Sequence, residues 1–179
     1  DEFKITKLFI NENKKINQFD TLSLNFKNQS NIKNDIQINR NKNRYIVEGK
    51  TFDMTNFINN LLFEESDKNN FLFNDKKKIF IFDLKKVYLH KEYFLTKFIG
   101  NISLNKSKIE NAKLDGKFFD DKVVSFKIFN KNQAKITTLY SELAEPLVKK
   151  YDFIKGFNGG LLDFHSIKRK SFSESQLKI

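Results

Sequence analysis

"TLSLNFKNQSNIKNDIQI", Thr21 to Ile38, is the stretch that decides the fold. Leu22, Leu24 and Phe26 fall on one parity, while Thr21, Ser23, Asn25 and Lys27 fall on the other. A strand with one apolar and one wet face requires this alternation. "KNQSN", Lys27 to Asn31, is a short polar connector, after which alternation returns with Ile32, Ile36 and Ile38. Two alternating runs joined by an Asn-rich turn predict an antiparallel hairpin.

The pattern recurs along the chain. Ile102 and Leu104 alternate in "NISLN", Val124, Phe126 and Ile128 in "VVSFKIF", Ala134, Ile136 and Tyr140 in "AKITTLY", and Leu162 and Phe164 in "LLDFHS". "RNKNR" (Arg40 to Arg44), "FDDK" (Phe119 to Lys122) and "NKNQ" (Asn130 to Gln133) are the turns between such runs. Pro146 is the single proline, which suits long uninterrupted ladders. The expected class is mainly β, an antiparallel sheet built from hairpins.

Two stretches leave the period of two. In "FDMTNFINNLLFEE", Asp53 is placed to cap a short helix near residues 54–63, with Phe57, Ile58, Leu61 and Leu62 on one face. In "SELAEPLVKKYDFI", Leu143, Leu147, Val148 and Tyr151 predict a second short amphipathic helix near 143–152. Pro146 is tolerated only in a first turn, so regular helix should start beside it. "EESDKNN", Glu64 to Asn70, reads as a loop dividing the chain into halves. "KIFIF", Lys78 to Phe82, is apolar on both parities, as for a segment covered on both faces or paired with another element.

The 179 residues suit one domain, taken as 1–179. The chain starts at Asp1 and has no apolar run of membrane-spanning length, so a piece of a longer protein is expected. A formal charge of +11 points to an anionic partner, nucleic acid or lipid headgroups. Lysine supplies nearly all of it, the arginines being Arg40, Arg44 and Arg169, and base readers favour arginine. Lys, Asn, Ile and Phe share AT-rich codons, so the charge also reads as a solvated surface. Without cysteine there is no disulfide and no thiol nucleophile. The 21 Phe call for one continuous buried or ligand-facing surface.

"KGFNGG", Lys155 to Gly160, tests the chemical alternatives. Lys155, Gly156 and Phe157 fit the start of a ribonucleoprotein motif, but Gly159 replaces the stacking aromatic. A phosphate loop needs Gly-Lys-Ser/Thr, and Leu161 follows Gly160 instead. A dinucleotide turn needs strand then helix, and the order here is reversed. A turn remains, with Gly156 as left-handed helix cap and Gly159 and Gly160 sending the chain into the next strand. His90 and His165 have no metal-spaced partner, and Asp120-Asp121 occupies a turn. No catalytic residue, metal ligand or cofactor is therefore expected.

The order of elements resembles the C-terminal region of AsmA-like proteins of Gram-negative bacteria. The likeness lies in an alternating strand, a short helix closing in "Y-D-x-I-x-G-x-x-G-G", and a further strand. Matching positions are Glu142, Leu147, Tyr151, Ile154, Gly156, Gly159, Gly160 and Leu162. "GKTFDMTNFINNLL", Gly49 to Leu62, is similar to the family's segment leading into a helix, and the likeness runs from about Arg44 to Leu162.

The resemblance implies a long curved sheet, an open β-groove, whose inner face carries phospholipid acyl chains between inner and outer membrane. It implies a parent protein anchored in the inner membrane by regions outside this chain and reaching across the periplasm. Phospholipid and adjacent parent segments would be its partners, with no specific nucleic acid. The groove-face residues would be Leu22, Leu24, Phe26, Ile36, Ile38, Ile102, Leu104, Val124, Phe126, Ile128, Ile136, Leu162 and Phe164. Two alternatives stand beside this non-enzymatic reading. One is a basic single-stranded nucleic-acid binder, which needs Phe alternating with Lys on an open face. The other is a scaffold packed on itself. Phe126 shares parity with Val124 and Ile128, and Phe26 with Leu22 and Leu24, which favours lipid.

Overall fold

The computed structural model describes residues 1–12, 14–55, 77–105, 108–151 and 158–179, with backbone only at 149–151. The strands are β1 (Glu2–Thr6), β2 (Phe9–Ile10), β3 (Ile16–Gln18), β4 (Thr21–Lys27), β5 (Lys33–Asn41), β6 (Arg44–Asp53) and β7 (Lys78–Tyr88). They continue with β8 (Phe94–Asn105), β9 (Lys108–Lys117), β10 (Val123–Lys131), β11 (Ala134–Ser141), β12 (Leu162–Lys168) and β13 (Ser173–Lys178). Among the described residues a short helix, Glu145–Tyr151, stands between β11 and β12.

Eleven strands form one open sheet in the order β1-β4-β5-β6-β7-β8-β9-β10-β11-β12-β13, and β2 pairs with β3 separately. The expected mainly β, hairpin-built class is what the chain adopts. One pairing departs from it, because β6 and β7 run parallel. A parallel neighbour cannot be reached by a tight turn and needs a long crossover, here the connection between Asp53 and Lys78. The expected helix positions Phe57, Ile58, Leu61 and Leu62, and the loop Glu64 to Asn70, lie in that connection outside the described residues.

Turn chemistry fixes the hairpins. Asn28 Oδ1 accepts the Ser30 and Ile32 amides at 3.0 and 2.9 Å, and Asn31 takes a φ of 60°. Asn132 and Gln133 both have positive φ between β10 and β11, as the primed hairpin turns demand. Asp121 also has positive φ, with Asp120 salt-bridged to Lys122 at 2.9 Å and Asp121 to Lys117 at 3.1 Å. That hydrogen bond from Lys122 holds the Asp120 carboxyl below the usual carboxylate range. These two carboxylates are turn residues, as the sequence suggests.

The middle strands do not alternate strictly. Lys50, Lys85 and Lys97 are left unpaired at one level of β6, β7 and β8, whose mutual registers do not change, while the register shifts against β5 and β9; Lys97 has a φ of 50°. The shift at each border is a bulge, and the one extra residue reverses parity along these strands. Leu84 and Val87 are both fully buried, and so are Leu95 and Phe98 at 3% and 4% exposure, although each pair is three residues apart. The bulges expel three lysines and keep the apolar side chains on one face.

Candidate functional site: an apolar row across the sheet

Strand registers place one row of side chains across all eleven strands: Ile5, Leu22, Ile38, Val47, Phe82, Gly100, Leu114, Phe126, Leu139, Phe164 and Leu177. No member is polar. A second row on the same face runs Phe3, Leu24, Ile36, Gly49, Leu84 and Phe98. Past the bulge it continues as Gly116, Val124, Ser141 and Leu162. A third contains Tyr45, Phe80, Ile102, Ala112 and Ile128.

Of the thirteen groove-face positions, twelve share this face. Ile136 does not. It pairs with Phe129 and Ile167 on the opposite face, while Leu139 of the same strand faces Phe126. "AKITTLY" offers apolar residues on both parities, and pairing with β10 selects Leu139 instead of Ala134, Ile136 and Tyr140. "KIFIF" is resolved similarly: Phe80 and Phe82 join the core side, while Ile79 and Ile81 lie half-buried on the other, Ile81 beside Ile46.

Burial varies along the row. Val47, Phe82, Leu114 and Phe126 are buried, whereas Ile5, Leu22, Ile38, Leu139 and Phe164 are half-buried and Leu177 is exposed. Its centre is therefore closed and its flanks are partly open. Leu143, Ala144, Leu147 and Val148, at and before the helix, are buried in the same core cluster. Pro146 sits in the helix's first turn, where its missing N–H costs nothing. Between Leu147 and the sheet lies an apolar cavity of about 50 Å³, lined chiefly by Leu89, Leu95, Phe98, Leu114, Phe126 and Leu139. It admits a methyl group or two and is too small for an acyl chain.

The "KGFNGG" turn secures the helix. Gly159 and Gly160 have φ of 69° and 75°. The Ala144 and Glu145 amides donate to the carbonyls of Gly160 and Gly159, and Glu145 Oε2 accepts the Gly159 amide at 2.9 Å. Glu145 Oε1 also accepts the Tyr93 hydroxyl at 3.2 Å. Leu162 and Phe164 then reach the core face as expected. Gly156, Ile154, Lys155 and Phe157 lie outside the described residues.

Polar groups on the apolar face were not foreseen. Lys78 and Asn34 are buried there, Asn34 accepting the Asp53 amide at 2.9 Å. Tyr45 packs between Phe19 and Phe80 at ring distances of 5.0 and 5.1 Å, and burial pushes its phenol above the ordinary value. The Lys77 hydrogen bond, at 2.8 Å, holds Glu110 below its usual range. Among the described residues no three His, Cys, Asp or Glu are grouped to hold a metal. His90 is exposed in a turn and His165 is half-buried on the outer face. No family model, curated protein or solved structure matches this chain.

Proposed function

We propose that the chain is a non-enzymatic lipid-handling segment, whose apolar sheet face contacts phospholipid acyl chains on their way between inner and outer membrane. The observation that carries this reading is the unbroken apolar row over eleven strands. A self-sufficient core needs to fill only the centre of a sheet. Here the apolar pattern continues past the buried Phe126 to half-buried Leu139 and Phe164 and exposed Leu177. Each methylene transferred from water to such a surface contributes about 0.8 kcal/mol. The resemblance to AsmA-like proteins points the same way and supplies the periplasmic setting and the inner-membrane anchorage of the parent.

A second reading, a scaffold packed on itself, draws on the closed centre and the small cavity. Native mass spectrometry of the purified chain separates the two. Retained phospholipid is expected, reduced several-fold in Phe164→Glu, which sets a carboxylate on a half-buried position of the row. Lys127→Glu, exposed on the opposite face, should leave occupancy unchanged. A folded chain that never retains phospholipid would leave the scaffold reading standing.

A further inference from the structure

The topology sorts charge between the two ends of the sheet. At one end lie the turns β5–β6, β10–β11 and β12–β13 and the start of β9. That end carries exposed Lys42, Arg44, Lys108, Lys131, Lys168 and Arg169. With Arg40 it holds all three arginines of the chain. Among the described residues its acids are few: Asp20 is committed to Lys7 and Arg40 at 3.0 and 3.2 Å, and Glu110 to Lys77 at 2.8 Å, leaving Glu12 and Glu174. At the opposite end lysines are balanced by Asp53, Glu92, Asp120, Asp121, Glu142 and Asp163. The net charge is thus concentrated along one rim.

The same rim exposes apolar side chains. Leu8, Phe9 and Ile10, from the β2–β3 hairpin between β1 and β4, are 41%, 51% and 57% exposed, and Phe172 is 45% exposed. We propose that this rim docks the protein onto an anionic lipid bilayer surface, the lysines and arginines meeting headgroup phosphates and the exposed apolar run Leu8–Ile10 entering the interface. A line of eleven strands spaced about 4.8 Å apart extends on the order of 50 Å, long enough for many headgroup contacts at once. Each Lys or Arg near an anionic leaflet adds to the attraction, which falls off within a Debye length. Exposed Leu8 and Ile10 have no stacking use on a nucleic-acid base, whereas interfacial binding uses both apolar and cationic groups. The docking does not depend on acyl chains occupying the apolar row.

The test is co-sedimentation of the whole chain with phosphatidylcholine vesicles, with and without about one third phosphatidylglycerol. Binding should require the anionic lipid and weaken with salt. The triple variant Lys42→Glu, Arg44→Glu, Arg169→Glu should lose at least about tenfold in affinity. Lys27→Glu, Lys91→Glu, Lys178→Glu, an equal charge change at the opposite end, should lose much less. Leu8→Ser with Ile10→Ser should weaken vesicle binding and leave any single-stranded oligonucleotide binding unaltered. Equal losses from both triples, or no preference for anionic vesicles, overturn the proposal. So does a rim triple that abolishes oligonucleotide binding but spares vesicles, which would make the rim a nucleic-acid surface. Thermal melts confirm that each variant is folded. Lipid retained in native mass spectrometry without vesicle docking would sink the rim alone and leave the lipid-handling reading intact.

Discussion

At Gly100 the backbone takes a φ of +148°, and a Cβ there would collide with the Lys113 carbonyl and lie 2.8 Å from the Leu114 Cα. Gly100 is the one glycine in the row of eleven, and its missing side chain is what lets β9 approach β8. Gly100→Val should destabilise the fold by roughly 3 kcal/mol, combining backbone strain with overpacking. Gly159 offers a contrast, since its φ is +69° but a Cβ there would meet nothing within 4 Å. Gly159→Ala should therefore cost only about 1 kcal/mol, the left-handed penalty alone. Urea titrations of the two variants give both numbers, and equal losses would contradict the distinction between space and conformation.

Among the elements, the helix Glu145–Tyr151 is too short to be stable by itself, because nucleation is costly and few turns repay it. Leu147 and Val148 bury it against the sheet, while Glu145 ties its first turn to the Gly159–Gly160 bend and to Tyr93. Glu145→Ala should lower stability by about 1–2 kcal/mol through loss of the bonds accepted from Gly159 and Tyr93. Glu145→Gln keeps an acceptor oxygen and should retain most of that. Chemical denaturation of the pair checks this, and identical losses would show that charge, not hydrogen bonding, holds the bend.

Over the whole molecule, nearly every strand of the large sheet pairs with its neighbours in sequence, the β1–β4 step excepted. Contacts of this kind resemble those of repeat proteins, in which stability is distributed locally and ends open first. β13 is exposed throughout and β1 at Glu2, Phe3 and Lys4, whereas β7, β8 and β9 carry the buried Leu84 and Val87, Ile102, and Leu114 respectively. Amide hydrogen exchange should be fastest in β1 and β13 and slowest in β7–β9. Uniform protection would mean a single cooperative unit instead.

Local pattern was enough to specify the strands of the outer hairpins, their Asn-rich turns, the helix beside Pro146 and the Gly159–Gly160 bend. In each case the signal is an alternation or a turn residue whose preferred φ suffices. Even the facing of most apolar positions, such as Leu22, Leu24, Val124 and Phe126, follows from period two. Features that depend on partners distant in the chain were settled only by the assembled sheet. Ile136 faces outward because β10 presents Phe126 to Leu139. "LKKV", Leu84 to Val87, keeps Leu84 and Val87 on one face because Lys85 is left unpaired between β6 and β8. Net positive charge collects on one rim because antiparallel strands bring alternate turns to the same end, and the acid-bearing turns fall at the other. None of these is encoded in a short window, since strand pairing assigns both the face of a side chain and the end of the sheet on which each turn falls.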